Sequence, residues 1–179
     1  MAILKVACLG HPVLRMKARP LSRSNIKGRD IQQFVDDMVE TMRDYHGVGL
    51  AAPQVHAPYR IIVIEEQEAS EDGTRPAVPL TALINPTLGP AGDQTAEDWE
   101  GCLSIPDLRG KVPRWASVSV RALDRQGREV AFEARDFFAR VIQHEVDHLD
   151  GIVFLDRMKD MSTLTFLQEY ARYWKPNDE

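Results

Sequence analysis

Apolar positions along the chain follow two periods, and the switches between them lay out its elements. Ile31, Phe34, Val35, Met38, Val39, Met42 and Tyr45 recur at helical spacing after Asp30, which predicts a long helix ending near Gly47. Residues 60–64 and 82–84 are short apolar runs rich in β-branched side chains and predict strands. Residues 67–79 are polar and carry Gly and Pro, predicting a surface loop, and residues 88–95 predict another. Residues 117–122 and 129–134 alternate apolar with polar around Asp124-Arg125-Gln126-Gly127, the pattern of an antiparallel hairpin. Helical spacing returns at Phe138, Val141, Ile142 and Leu149, with Asp136 placed as N-cap and Asp150-Gly151 as the stop. Leu164, Leu167, Tyr170, Ala171 and Trp174 then mark one stripe of a C-terminal helix, expected to dock on the core. The sum is an α+β chain without repeats, expected to form a single domain over residues 1–179.

Composition narrows the setting. A hydrophobic content of 44% in 179 residues is enough for a real core. The formal net charge of -5 argues against a generic nucleic-acid binder. No apolar run approaches the roughly 18 residues of a membrane span, and the opening residues lack a secretory apolar core, so a cytoplasmic protein is expected. Residues 1–29 hold seven Lys or Arg and no acid, which superficially resembles an organelle transit peptide. The stretch Leu9 to Arg15, however, alternates turn and apolar signals as a folded segment does. With only Cys8 and Cys102, a disulfide framework is implausible and a reducing compartment is expected.

Three segments carry chemistry. In His144-Glu145-Val146-Asp147-His148, four residues at about 100° each bring the second imidazole within roughly 40° of the first, so both rings can reach one ion with a carboxylate beside them. In Glu100-Gly101-Cys102-Leu103-Ser104, the cysteine is either an inert buried thiol, a thiolate ligand for a divalent ion, or a nucleophile paired with a histidine. The nucleophile alternative leaves Glu145 and the second imidazole without a role. In Gly47-Val48-Gly49-Leu50-Ala51-Ala52-Pro53-Gln54, small residues allow close approach of another backbone and Gln54 offers an amide donor. No Lys-Ser/Thr follows these glycines, so they do not form a phosphate loop.

Together, in this order and at similar separations, the three segments resemble the peptide deformylases, metalloenzymes that remove the formyl group from the N-terminal methionine of new polypeptides. The resemblance extends to Gly10-His11-Pro12 with Leu14-Arg15 and to Val112-Pro113-Arg114, and so covers nearly the whole chain. It implies antiparallel sheets packed around a central helix bearing the His-Glu-x-x-His pentad, flanked by the long N-terminal helix and a C-terminal helix. It also implies Cys102, His144 and His148 as ligands of one divalent ion, with water in the open fourth position. Ferrous iron is the expected ion in cells, and zinc, nickel or cobalt suit the same donors.

The mechanism implied has Glu145 as general base toward that water and then as acid toward the departing amine. Gln54 and the Leu103 backbone N–H would stabilise the oxyanion. Gly47, Val48 and Gly49 would pair with substrate backbone, crowding the formyl position against acetyl, and Glu100, Gly101, Arg109 and Phe137 complete the expected substrate contacts. Glu100 and Asp147 are expected to orient ligand imidazoles or to bind an arginine such as Arg114. Asp98, Trp99, Phe137 and Arg140 fall near the expected methionine site, where Asp98 and Arg140 depart from an apolar lining unless they point outward or pair.

The expected partner is a nascent N-formyl-methionyl peptide, with at most a transient ribosome contact, no membrane and no specific nucleic acid. The C-terminal Glu169, Arg172, Lys175, Asp178 and Glu179 are not the basic tail that docks some bacterial members on ribosomes. Organelle and viral origins fit the same motifs as a bacterial one. Other classes fit less well. A zinc endopeptidase needs a downstream third ligand, and only acids such as Asp150 and Asp156 follow His148. A closed, structural four-ligand site lacks a fourth Cys or His at suitable spacing, since His46 and His56 flank the glycine-rich segment.

Overall fold

A strand whose successive side chains are all apolar has to be covered on both faces, and Ile61, Ile62, Val63 and Ile64 are all fully buried. The computed structural model describes residues 2–69 and 76–175. Its elements run α1 (Arg23–Ile26), α2 (Arg29–Asp44), β1 (Gly49–Ala51), β2 (Ile61–Glu66), β3 (Val78–Pro90), β4 (Thr95–Cys102), β5 (Ile105–Trp115), β6 (Ser117–Leu123), β7 (Glu129–Arg135), α3 (Asp136–Leu149), β8 (Thr165–Phe166) and α4 (Leu167–Tyr173). β1-β2-β3-β6-β7 form a five-stranded antiparallel sheet, and β4-β5-β8 a three-stranded one.

The two faces of β2 explain why two long helices flank the larger sheet. Ile62 and Ile64 join Val118, Val120, Ile142 and Leu149 in the core on the α3 side. Ile61 and Val63 join Val35, Met38, Val39 and Met42 on the α2 side. Each such side chain contributes about 1.5–3 kcal/mol when fully buried. A smaller cluster of Cys102, Ile105, Val112, Val153 and Phe154 ties the three-stranded sheet to the chain beyond α3. This is the α+β arrangement around a central helix that the sequence predicts, and among the described residues no helix is long and apolar enough to cross a membrane.

Several local expectations are corrected. Asp136 is not the N-cap of α3: Arg135 holds that position, and Asp136 is the first helical residue, at φ +49° with its N–H given to Ala116 O at 2.7 Å. The tie to Ala116 forces a left-handed step there, which aspartate tolerates better than most residues. The loop predicted over 88–95 shrinks to 91–94, because Leu88, Gly89 and Pro90 pair with β6 and Thr95 opens β4. Leu164 lies outside the C-terminal helix, just before β8, while Leu167, Tyr170 and Ala171 belong to α4 and Trp174 caps it. The predicted loop over 67–79 yields its last two residues to β3, and its residues 70–75, like Asp178 and Glu179, lie outside the described residues.

The stop of α3 stands as predicted, with Asp150 as C-cap and Gly151 at φ +76°. A Cβ on Gly151 would lie 2.7 Å from the carbonyl oxygen of Arg15. Gly151→Ala is therefore expected to lower stability by about 1–3 kcal/mol through backbone strain, read as a lower urea midpoint at unchanged slope. A midpoint equal to that of the parent would contradict the steric assignment.

Candidate active site

α3 is buried on every side from Ala139 to Leu149, so each polar side chain it carries there must find its partner inside the protein. His144 and His148 lie one turn apart with ring centroids 5.0 Å from each other. β4 ends on Cys102, whose Sγ lies 3.2 Å from His148 Nε2. One ligand atom from each of Cys102, His144 and His148 falls within 4.8 Å of the other two. A tetrahedral ion with bonds of about 2.3 Å to sulfur and about 2.0 Å to nitrogen has ligand edges of roughly 3.3–3.6 Å, so these donors fit one.

The donors are also electronically suited. Burial alone would raise the Cys102 thiol, but His148 and then His144 beside it hold it well below its ordinary value, toward thiolate. His144 Nδ1 lies 2.9 Å from Glu100 Oε2, which places its proton on Nδ1 and leaves Nε2 as the electron-pair donor. His148 Nδ1 has no partner among the described residues, so only one of the two imidazoles is oriented by a carboxylate.

Glu100 gathers more than the imidazole. Arg114 donates from Nε to Oε1 at 2.9 Å and from Nη2 to Oε2 at 3.0 Å, and Arg140 donates from Nη1 to Oε1 at 2.8 Å. Burial would raise this carboxyl, yet the hydrogen bonds from His144 and Arg114 hold it well below the usual carboxylate range. Asp147 orients no imidazole. It accepts from Arg114 Nη1 and, at 2.7 Å and 3.1 Å, from Arg157, the arginine alternative among the expectations for it.

Glu145 is the opposite case. It is buried, its Oε2 has no partner among the described residues, and desolvation pushes its carboxyl up to about 7. Its room comes from Gly49, where a Cβ would sit 2.8 Å from Glu145 Cδ. Gln54 is fixed nearby: Oε1 accepts from the Ala51 N–H at 2.7 Å, and Nε2 donates to Ser104 Oγ at 3.2 Å while standing 3.6 Å from Cys102 Sγ. Leu103 follows Cys102 directly, and its side chain comes within 2.8 Å of where a Cβ on Gly47 would stand. Thus the glycine-rich segment meets both the cysteine turn and the pentad helix. β1 and β4 are each edge strands of their sheets, so among the described residues the backbone running through Gly49 has one side without a strand partner.

The remaining predicted residues divide. Val48 and Phe137 are half-buried and pack on the α3-side core. The Arg109 guanidinium covers Gly101, where a Cβ would lie 2.7 Å from its Nε, and Nη1 donates to Leu108 O at 2.9 Å. Asp98 is exposed and accepts from the Trp99 N–H at 2.7 Å, while Arg140 is buried and paired. Trp99 turns to α4, against Tyr170 and Trp174 at 5.0 Å and 5.6 Å between ring centroids. Three contributors were missed by sequence reasoning. Gln143 bonds both backbone polar groups of Trp115, Phe154 stacks on His144 at 6.4 Å, and Arg157 holds Asp147. Gln143 stands directly before the pentad, and that adjacency was the available signal.

Comparison with known proteins agrees with this geometry. A family model described as polypeptide deformylase matches residues 3–163. Peptide deformylase 2 of Nostoc sp. is 40% identical over 164 residues, covering 91% of this chain and 90% of the relative. The peptide deformylase of Thermomicrobium roseum is 42% identical, over 94% and 93%. A crystal structure of class I type b peptide deformylase from Acinetobacter baumannii with Met-Ala-Ser bound superimposes with a TM-score of 0.83 at 36% identity, covering 88% of this chain and 99% of that one. The motif-bearing strands and the ligand helix all lie inside the matched span, and the chain belongs to the polypeptide deformylase family of enzymes.

Proposed function

We propose that the chain is a metal-dependent amidohydrolase that removes the formyl group from the N-terminal formyl-methionine of new polypeptides and releases formate. The observation that carries this is the convergence of Cys102, His144 and His148 beside a buried Glu145 whose Oε2 lacks a partner among the described residues. Cys102, His144 and His148 would hold a divalent ion, which would supply Lewis acidity toward a formyl oxygen and toward water near neutral pH. Ferrous iron is the ion we assign in cells, and the same donors suit zinc, nickel and cobalt.

The protein's own groups do the rest. Glu145 Oε takes the proton of the attacking water and passes it to the amine nitrogen as the C–N bond breaks. Gln54 Nε2–H and the Leu103 backbone N–H donate to the formyl oxygen as charge grows on it. The nascent peptide lies along β1 as an added strand, with Gly47 to Gly49 leaving space for its backbone and for a formyl hydrogen but not an acetyl methyl. Val48 and Phe137 face the methionine side chain, and Arg109 over Gly101 flanks the peptide beyond it. The Acinetobacter relative crystallised with Met-Ala-Ser, a peptide that begins with methionine, supports this substrate class.

Stripping the ion with a chelator is expected to abolish formate release from formyl-Met-Ala-Ser, and ferrous or nickel ions added anaerobically to restore it. Undiminished hydrolysis by fully metal-free protein would overturn the metal-dependent assignment in favour of a Cys-His hydrolase. Glu145→Gln is expected to lower kcat by about 10²–10⁴-fold with metal content unchanged. Retention of kcat within threefold would remove Glu145 from the proton transfer.

A further inference from the structure

Arg140 is a charged residue in the middle of a buried helix, one turn before the first imidazole, and its side chain is 9% exposed. Its side-chain hydrogen bonds to the described residues run in one direction, out of α3 and into the β4–β5 hairpin. Nη2 donates to Ala96 O at 2.7 Å, and Nη1 donates to Val112 O at 2.7 Å and Glu100 Oε1 at 2.8 Å, with Asp98 O at 3.5 Å. Ala96, Asp98 and Glu100 are alternate residues of β4, on the way to Cys102, and Val112 lies opposite Asp98 on β5. One side chain thereby grips three successive residues on one face of the strand that ends in the thiolate.

The consequence concerns distance between elements. Two of the metal-ligating side chains come from α3 and the third from β4, and the geometry of the set depends on how far that strand stands from the helix. Along α3, His144 is fixed by Glu100 and His148 Nδ1 has no partner among the described residues, so the helix side is only partly constrained. Gln143 attaches α3 to Trp115, the end of the β4–β5 ladder far from Cys102, and Arg114 of β5 reaches Asp147 of α3. Arg140 ties the helix to both strands at once at Ala96, Glu100 and Val112, and it also places the third donor group on the carboxylate that orients His144.

We propose that Arg140 is a positioning residue of the metal site, holding the hairpin that carries Cys102 and Glu100 at its working distance from the helix that carries His144 and His148. This rests on the assignment of those three residues as ligands of one ion. Orienting partners of metal ligands typically contribute about 10–100-fold in metal affinity, and that is the size of effect expected here.

The test compares Arg140→Met and Arg140→Lys with the parent protein, using Co²⁺ alone as probe. Affinity is measured by anaerobic competition with a chelator, and the intensity of the thiolate-to-cobalt absorption reports whether Cys102 is engaged. Urea unfolding of the metal-free proteins gives stability separately. For Arg140→Met we expect Co²⁺ affinity lowered about 10–100-fold, a weaker thiolate band, and a KM for formyl-Met-Ala-Ser within threefold of the parent in metal-saturated enzyme. Lysine keeps the charge but cannot reach both strands with a planar fork, so Arg140→Lys is expected to lose at least fivefold in affinity. It also serves as the test should the methionine variant fail to fold.

Parental Co²⁺ affinity in a folded variant would overturn the proposal, even with a lowered urea midpoint, since the residue would then be structural only. A raised KM with unchanged Co²⁺ affinity would overturn it in favour of a substrate contact. If the parent protein itself binds no ion at Cys102, it is the metal assignment that fails, and the positioning role falls with it.

Discussion

The buried carboxylate of Glu100 is the interaction on which the site depends. Taking one carboxylate out of water costs several kcal/mol unless its oxygens are filled by donors. Here they are filled by two guanidinium groups and an imidazole, drawn from β5 and α3. Arg114 then spans Glu100 and Asp147, and Arg157 completes Asp147 at the surface. Two acids and three arginines thus form one continuous buried-to-exposed network in which no carboxylate stands alone. Apolar side chains of similar volume could pack that space without loss of stability. They could not fix the proton of His144 on Nδ1 and so leave Nε2 available to an ion.

Glu145 gains its character from lacking what Glu100 has. Both are buried glutamates, and the charge of Glu100 adds to the raising of Glu145, yet burial and ion pairing push the two in opposite directions. The paired carboxylate stays an anion and works as a fixed acceptor. The one raised to about 7 can take and release a proton near neutral pH. Gly49 is part of that difference, because any larger residue would displace the Glu145 side chain from its place. A single glycine in an edge strand therefore serves two ends, room for the buried Glu145 carboxylate and a backbone edge without a strand partner among the described residues.

The sequence showed this arrangement unevenly, for identifiable reasons. Strong periodicity gave α2, the β6–β7 hairpin and α3, because each buries one regular face or, for α3, both histidines at a one-turn interval. β3 was harder. It carries Asn85 at φ +54° and Pro86 exactly where its register with β6 shifts between Ile84 and Thr87, so an irregular strand imitated a strand followed by a loop. β4 was harder still, being a polar edge strand whose buried positions are Glu100 and Cys102 rather than valines or isoleucines. The spacing of the pentad announced the imidazoles. That Cys102 would reach them followed only from the resemblance of three motifs taken together.

Arg140 shows where reasoning from residue types has to stop. Near an expected methionine pocket, an arginine reads as a defect in an apolar lining, and nothing in its neighbours' identities says otherwise. Three of its four acceptors are backbone carbonyls, of Ala96, Asp98 and Val112, and a carbonyl leaves no trace in a sequence. Its fourth is Glu100, forty residues away. Only when the β4–β5 hairpin is laid against α3 does the guanidinium meet the carbonyls of Ala96, Asp98 and Val112 and the Glu100 carboxylate, at a spacing its planar fork can span. The same placement disposes of Asp98, whose carboxylate stays in solvent while its carbonyl turns inward to Arg140. Both apparent departures from an apolar pocket are therefore parts of the hairpin's attachment to the helix, Arg140 through its guanidinium and Asp98 through a backbone carbonyl, and only the arginine's charge lies inside.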